Sequence, residues 1–214
     1  MKPGLGRLVA KDRRDTQFLL KALLPVEVPR KPRKTWRLSW KGNQGTTSMC
    51  VGYGWHGLLR AAPIVQRKPS PIEIYQGAQR NDEWPGEDYE GSSVRGGAKA
   101  LQASGQIKAY GWAFDVATVL AWLATHGPVV IGTHWYKGMF TPDADGVVTP
   151  KGDLAGGHCY LAIGYDDKRG MILCQNSWGN AWGKKGRFYM RYADMDRLIK
   201  NDGEACTPTE PVTP

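Results

Sequence analysis

Cysteine is scarce and lacks pattern in this chain. Cys50, Cys159, Cys174 and Cys206 show neither C-x-x-C spacing nor the density of a small secreted scaffold, which argues against a disulfide framework and for free thiols in a reducing compartment. Nowhere does an apolar run approach the roughly eighteen residues that cross a bilayer. Met1–Leu8 also lacks the apolar stretch ending in small residues that marks an export signal. No internal repeat is found. A protein without a signal peptide or membrane span is expected.

The chain of 214 residues is 41% hydrophobic with nine Trp and nine Tyr, so it can bury a core without covalent staples. Its net charge of +9 is uneven. Residues 1–41 hold 12 Lys/Arg against 3 Asp/Glu, and beyond them the two signs balance at 17 each. The run Arg30-Lys31-Pro32-Arg33-Lys34 reads either as a solvated basic arm or as a patch for a polyanion or an acidic partner. No nucleic-acid motif accompanies it.

Pro25, Pro29 and Pro32 interrupt the first forty residues, which predicts an extended arm lying on the body. Gly42–Ser48 reads as a loop feeding a helix that begins near Cys50, with three glycines weakening its propensity. Ser93 is expected to cap a helix through Val94, Ala98 and Leu101 that stops at Gly105; Asp115 is expected to cap a second, through Leu123 to Gly127. After Pro128 the texture turns to short strands at Val129–Trp135, Cys159–Tyr165, Met171–Cys174 and Arg187–Tyr192. Helices first and strands later predict an α+β protein: a basic arm (1–41), a mainly helical lobe (42–126), a β lobe (127–200) and a C-terminal tail (201–214) that looks frayed from Thr207 to Pro214.

A cysteine is a nucleophile only as thiolate, and a helix N-terminus or a nearby imidazolium favours that form. Cys50 stands where loop becomes helix, although a buried structural cysteine reads equally well there. Six residues upstream, Gln44 carries a side-chain amide that could join the Cys50 N–H in holding an oxyanion. Downstream, Gly156-Gly157-His158-Cys159-Tyr160 opens an apolar run, and eighteen residues after His158 comes Asn176-Ser177-Trp178-Gly179, followed by Trp182-Gly183.

In order and spacing these segments resemble the papain family of cysteine peptidases, in particular its compact bacterial and bacteriophage members, over about residues 43–192. The resemblance implies a two-lobed fold in which a helical lobe with a central nucleophile helix packs on an antiparallel sheet or barrel, with the active site in the cleft between. It implies Cys50 as nucleophile in an ion pair with His158, Asn176 orienting the histidine, Gln44 in the oxyanion hole, and Trp178 shielding the His158–Asn176 bond, a ring that otherwise reads as core packing. No cofactor is expected; the substrate would be a peptide or protein, and the location cytoplasmic or virion-associated.

The chain departs from the family at Thr47-Ser48-Met49-Cys50-Val51, where a Cys-Gly-Ser-Cys-Trp run is usual. Thr47 replaces a disulfide-forming cysteine, and Ser48 a glycine that lets substrate backbone approach. The 108 residues from Cys50 to His158 are fewer than the roughly 130 of larger members, so loops lining the cleft are trimmed. The arm is too short for the family's long inhibitory propeptide. These departures motivate a rival reading, a papain-fold binding or structural protein with a silent site; fold analogy and charge motivate another, a hydrolase of cell-wall peptide cross-links whose basic arm holds an anionic wall polymer. His56, His126 and His134 read as structural, capping or surface residues, and the Cys and His positions lack zinc-ligand spacing.

Overall fold

The computed structural model describes residues 2–211. Its framework is an antiparallel seven-stranded sheet with one layer of helices on each face. In chain order the strands are β1 (Arg33–Thr35), β2 (Ile107–Ala113), β3 (Val129–Tyr136), β4 (Leu154–Asp166), β5 (Met171–Gln175), β6 (Arg187–Arg191) and β7 (Glu204–Pro211). They lie in the order β2-β7-β3-β4-β5-β6, with β1 paired to β4 off that path.

Helices α1 (Cys50–Arg60), α2 (Pro71–Asn81) and α3 (Val94–Ala103) cover one face of the sheet; α4 (Val116–Thr125) and α5 (Tyr192–Lys200) cover the other. The strand period of two sorts residues between the two cores. Val130, Cys159, Leu161 and Ile163 join Val51, Trp55, Leu58 and Ile74 under α1–α3, whereas Ile131, Trp135, Tyr160 and Ala162 join Leu120, Leu123, Met195 and Leu198.

The caps expected at Ser93 and Asp115 are present: Ser93 accepts from Gly96 N at 2.9 Å and Asp115 from Thr118 N at 2.6 Å. The three glycines of α1 are packing surfaces. A Cβ on Gly52 would stand 2.1 Å from the Pro71 carbonyl oxygen, and one on Gly54 would stand 2.7 Å from Cys159 Sγ. Close approach of α2 and β4 offsets the propensity that the glycines cost. Helix α2, overlooked in the sequence reading, opens with a capping box between Ser70 and Glu73 and with Pro71 at its first position.

Two expectations are corrected. Glu204–Pro211 is not a frayed tail but β7, inserted between β2 and β3, so that β2 too belongs to the sheet despite lying in the stretch read as helical. The prolines that suggested fraying are tolerated because β7 pairs with β3 only over Glu204–Cys206; Pro208 faces β2 alone, where a missing N–H costs little. The part of that tail from Val212 to Pro214 lies outside the described residues.

The arm is likewise not a solvated appendage. Leu20 is fully buried, Arg95 of α3 is ion-paired with the arm's Asp12 and Asp15, and Arg30 and Arg33 pair with Asp167 and Asp166. Much of the basic run is therefore neutralised from within. Among the described residues no helix is long and apolar enough to cross a membrane.

Candidate active site

Cys50 is the first residue of α1, whose N-cap, Met49, offers no side-chain bond, so the helix's leading amides are left for the thiol. The backbone N–H groups of Cys50, Val51 and Cys159 all act on that thiol and lower its pKa, but burial outweighs them and pushes it up to about 12. Through the Cys159 amide the nucleophile candidate meets β4 at the residue that follows His158.

His158 is fully buried on the opposite face of β4 from Cys159. Its Nε2 donates to Asn176 Oδ1 at 2.8 Å, and Nδ1 has no hydrogen-bond partner among the described residues. The Trp178 ring stacks on the imidazole at 4.6 Å, and Trp135 meets it edge-on at 4.9 Å. Burial lowers the histidine's pKa to about 4 although the Asn176 bond opposes the shift. The resemblance implies an ion pair; in this closed arrangement burial works against the charged form of both groups, raising the thiol's pKa and lowering that of the imidazole.

Gln44 reaches the same corner from the loop before α1. Its backbone N–H donates to Ser177 O at 2.8 Å, and its Oε1 accepts from Ser177 Oγ at 2.6 Å. Its Nε2 donates to Thr47 O at 2.7 Å and, more weakly, to Leu5 O at 3.4 Å. Thr47 thus closes the loop where the family has a disulfide: its Oγ1 donates to Gln44 O at 2.7 Å. All four cysteines are buried free thiols. His56, by contrast, bonds Pro69 O through Nδ1 at 2.8 Å and packs on Trp40, His126 stacks on Trp122 at the end of α4, and His134 stands 3.7 Å from Asp202.

The arm covers this site, which the sequence reading missed because it judged the arm by length. Gly4 N donates to Gly45 O and Gly4 O accepts from Trp178 Nε1 at 3.0 Å. Gly6 N and Arg7 N both donate to Gly157 O, and Ser92 N donates to Gly6 O. Two glycines make the fit. A Cβ on Gly4 would stand 2.0 Å from the Thr47 carbonyl oxygen, and one on Gly6, at φ +129°, would stand 2.1 Å from that of Ser48. The close approach to the Ser48 backbone, expected to need a glycine at 48, is made by a glycine on the incoming chain.

A sheet and helix layer meeting at a helix-borne cysteine is the papain-like architecture of cysteine proteases. Xylellain, a cysteine protease from Xylella fastidiosa, superposes with a TM-score of 0.72 at 20% identity, over 97% of this chain and 94% of that one. A digestive procathepsin L2 proteinase from Tenebrio molitor larval midgut superposes with a TM-score of 0.71 at 18% identity, over 97% and 78%.

The chain belongs to the papain family: the model described as "Papain family cysteine protease" matches residues 69–207, a stretch that holds His158 and Asn176 and begins after Cys50. It is also similar to cathepsin B-like cysteine proteinase 6 of Caenorhabditis elegans, 37% identical over 82 residues. That match covers 37% of this chain and 22% of the relative, so the chain spans about a fifth of that curated protein's length.

Proposed function

We propose that the chain hydrolyses peptide bonds with Cys50 as nucleophile, His158 as base and acid, Asn176 as the residue that orients the imidazole, and Gln44 as an oxyanion donor. The observation that carries this reading is the 2.8 Å bond from His158 Nε2 to Asn176 Oδ1. It fixes the tautomer with its proton on Nε2, leaving Nδ1 as the one basic nitrogen, on the residue that precedes the amide facing the Cys50 thiol.

Nδ1 accepts the Cys50 proton, and the thiolate attacks the substrate carbonyl. Gln44 Nε2 and the Cys50 N–H hold the oxyanion, and the imidazolium gives its proton to the departing amine. Water, deprotonated at Nδ1, then cleaves the thioester. In the closed arrangement Gln44 Nε2 faces the Leu5 carbonyl, the contact that an entering substrate carbonyl replaces. Turnover therefore requires the arm to leave: exposure lets the thiol pKa fall from about 12 and that of the imidazole rise from about 4, so that proton transfer between them becomes favourable.

The test is labelling by a cysteine-directed epoxide, read by intact mass, on the wild type, Cys50→Ala and Gly6→Val. One adduct on the wild type, faster labelling of Gly6→Val and no labelling of Cys50→Ala are expected, together with peptide turnover lost in Cys50→Ala. An adduct or turnover that survives Cys50→Ala refutes the assignment.

A further inference from the structure

Strand β1 carries half of the basic run and pairs with β4 alone, so its outer edge is open. Asp167 N donates to Pro32 O at 2.9 Å and Trp36 N to Ile163 O at 2.8 Å. Bonds in an antiparallel ladder recur at every second residue, so Lys34 faces β4 between them, and the N–H and C=O groups of Arg33 and Thr35 point outward. Those groups have no hydrogen-bond partner among the described residues.

Basic hollows flank this edge on both faces of the sheet. One, of about 510 Å³, lies where Lys34 and Tyr165 stand side by side; Arg30, Lys31 and Arg33 also line it, and no carboxylate does. The other, of about 630 Å³, lies where Arg33 meets Asp166, and is lined besides by Lys31, Lys168 and Arg169. The charges there do not balance. Arg30 and Arg33 are answered by Asp167 and Asp166, whereas Lys31, Lys34, Lys168 and Arg169 have no ion-pair partner among the described residues. Lys34 Nζ donates to Ala124 O at 2.8 Å, and burial together with the like charge of Lys31 lowers its pKa.

Lysines on an exposed edge ordinarily keep strands from adding to it. With positive charge on both faces, this edge turns away basic strands and suits one whose side chains, which fall on the two faces in turn, are acidic. A phosphate or sulfate polymer would match the charge but leave the outward N–H and C=O groups unused.

We propose that the outer edge of β1 is a docking site for an acidic, extended segment of a protein partner, which adds to the sheet as a strand and places its carboxylates in the two basic hollows. Tyr165 stands seven positions along β4 from His158, a span of about 23 Å at the rise of a strand. The docked segment therefore leaves the cleft open, and docking does not require that the cleft be active.

The test is fluorescence anisotropy of a labelled peptide of alternating threonine and glutamate, titrated with the full chain at low salt. Saturable binding is expected, weakened by added salt and absent for a threonine–lysine counterpart. Lys31→Glu combined with Lys168→Glu, at two exposed positions, lowers the affinity by about 10-fold or more. Thr35→Pro removes an outward N–H at an edge, where proline is tolerated, and lowers it by about 2–10-fold, the worth of one hydrogen bond, with the melting temperature unchanged. N-methylation of alternate residues in the peptide gives a similar loss without altering the protein. No saturable binding, or binding indifferent to the charge reversals, overturns the site. Affinity that is lost on charge reversal but survives both Thr35→Pro and N-methylation, with inorganic polyphosphate binding as tightly, marks a general polyanion surface and overturns strand docking.

Discussion

The two walls of the cleft are held together in different ways. The histidine wall belongs to the interior: His158 sits in a strand that is paired on both sides, bonded to Asn176 and enclosed by Trp135 and Trp178, and Trp178 in turn stacks on Phe140 at 5.4 Å. The cysteine wall is a helix end and a loop. Its thiol takes its properties from backbone amides and from whatever lies over it, and here that cover is five residues of the arm. The histidine's geometry is thus coupled to the stability of the sheet, whereas the environment of the Cys50 thiol is coupled to the arm that lies over it.

That contrast can be broken first on the histidine side. Trp135→Ala removes the ring that touches His158, Tyr160, Trp178 and Phe188, and is expected to cost about 3–5 kcal/mol of stability, read as a shift of the urea midpoint. A cost below about 1 kcal/mol would mean that the cluster does not hold this wall.

Next comes the loop. Gln44→Ala is expected to lower kcat by about 10²–10³-fold through loss of the oxyanion donor. Gln44→Glu keeps an acceptor for Ser177 Oγ but sets a second one against the Thr47 carbonyl, so it should lose similar rate and also some stability. Equal rates for Gln44→Ala and wild type would move the oxyanion hole elsewhere.

The junction of the two walls is sharpened by Gly54→Ala, whose new methyl would stand 2.7 Å from Cys159 Sγ. Overpacking of this kind costs about 1–3 kcal/mol, and Cys159→Ala in the same chain should recover most of it if that contact is the cause.

The last prediction concerns pH. Burial outweighs the opposing pull of Arg7 and Arg95 and raises the Glu204 carboxyl from 4.5 to about 7, with Glu83 adding a smaller upward push. The folded chain then keeps a proton that the unfolded chain releases, so this contribution is complete below 4.5 and is lost as pH rises through 7. Glutamine does not titrate. Urea midpoints of wild type and Glu204→Gln should therefore shift in favour of the variant between about pH 5 and about pH 8, and a constant difference would place the carboxyl's titration elsewhere.

Much of this was legible in the chain. Ser93 and Asp115 announced two helices because capping is local chemistry, and four strands after Pro128 followed from short apolar runs between turns. Cys50, His158, Asn176 and Gln44 stood out as candidates because the proposed nucleophile, base, orienting amide and oxyanion donor require those residue types, and the resemblance supplied their order. The capping box at Ser70–Glu73 was equally readable and went unused. Strand β7 was not readable: Pro208 and Pro211 mimic a linker, and they are tolerable only because pairing with β3 ends at Cys206, leaving one side of the strand unpaired there.

The sequence by itself determined the local elements, the set of candidate side chains and the family, since each depends on residue type and short-range spacing. The tertiary structure decided what lies in the cleft. That Gly4 and Gly6 lay the arm against Thr47 and Ser48, that Arg7 meets Glu204 across 197 positions, and that Cys50 and His158 are buried beneath them are outcomes of long-range packing. No local pattern encodes such contacts, because their energies come from burial and from charges that adjoin one another only once the chain has folded.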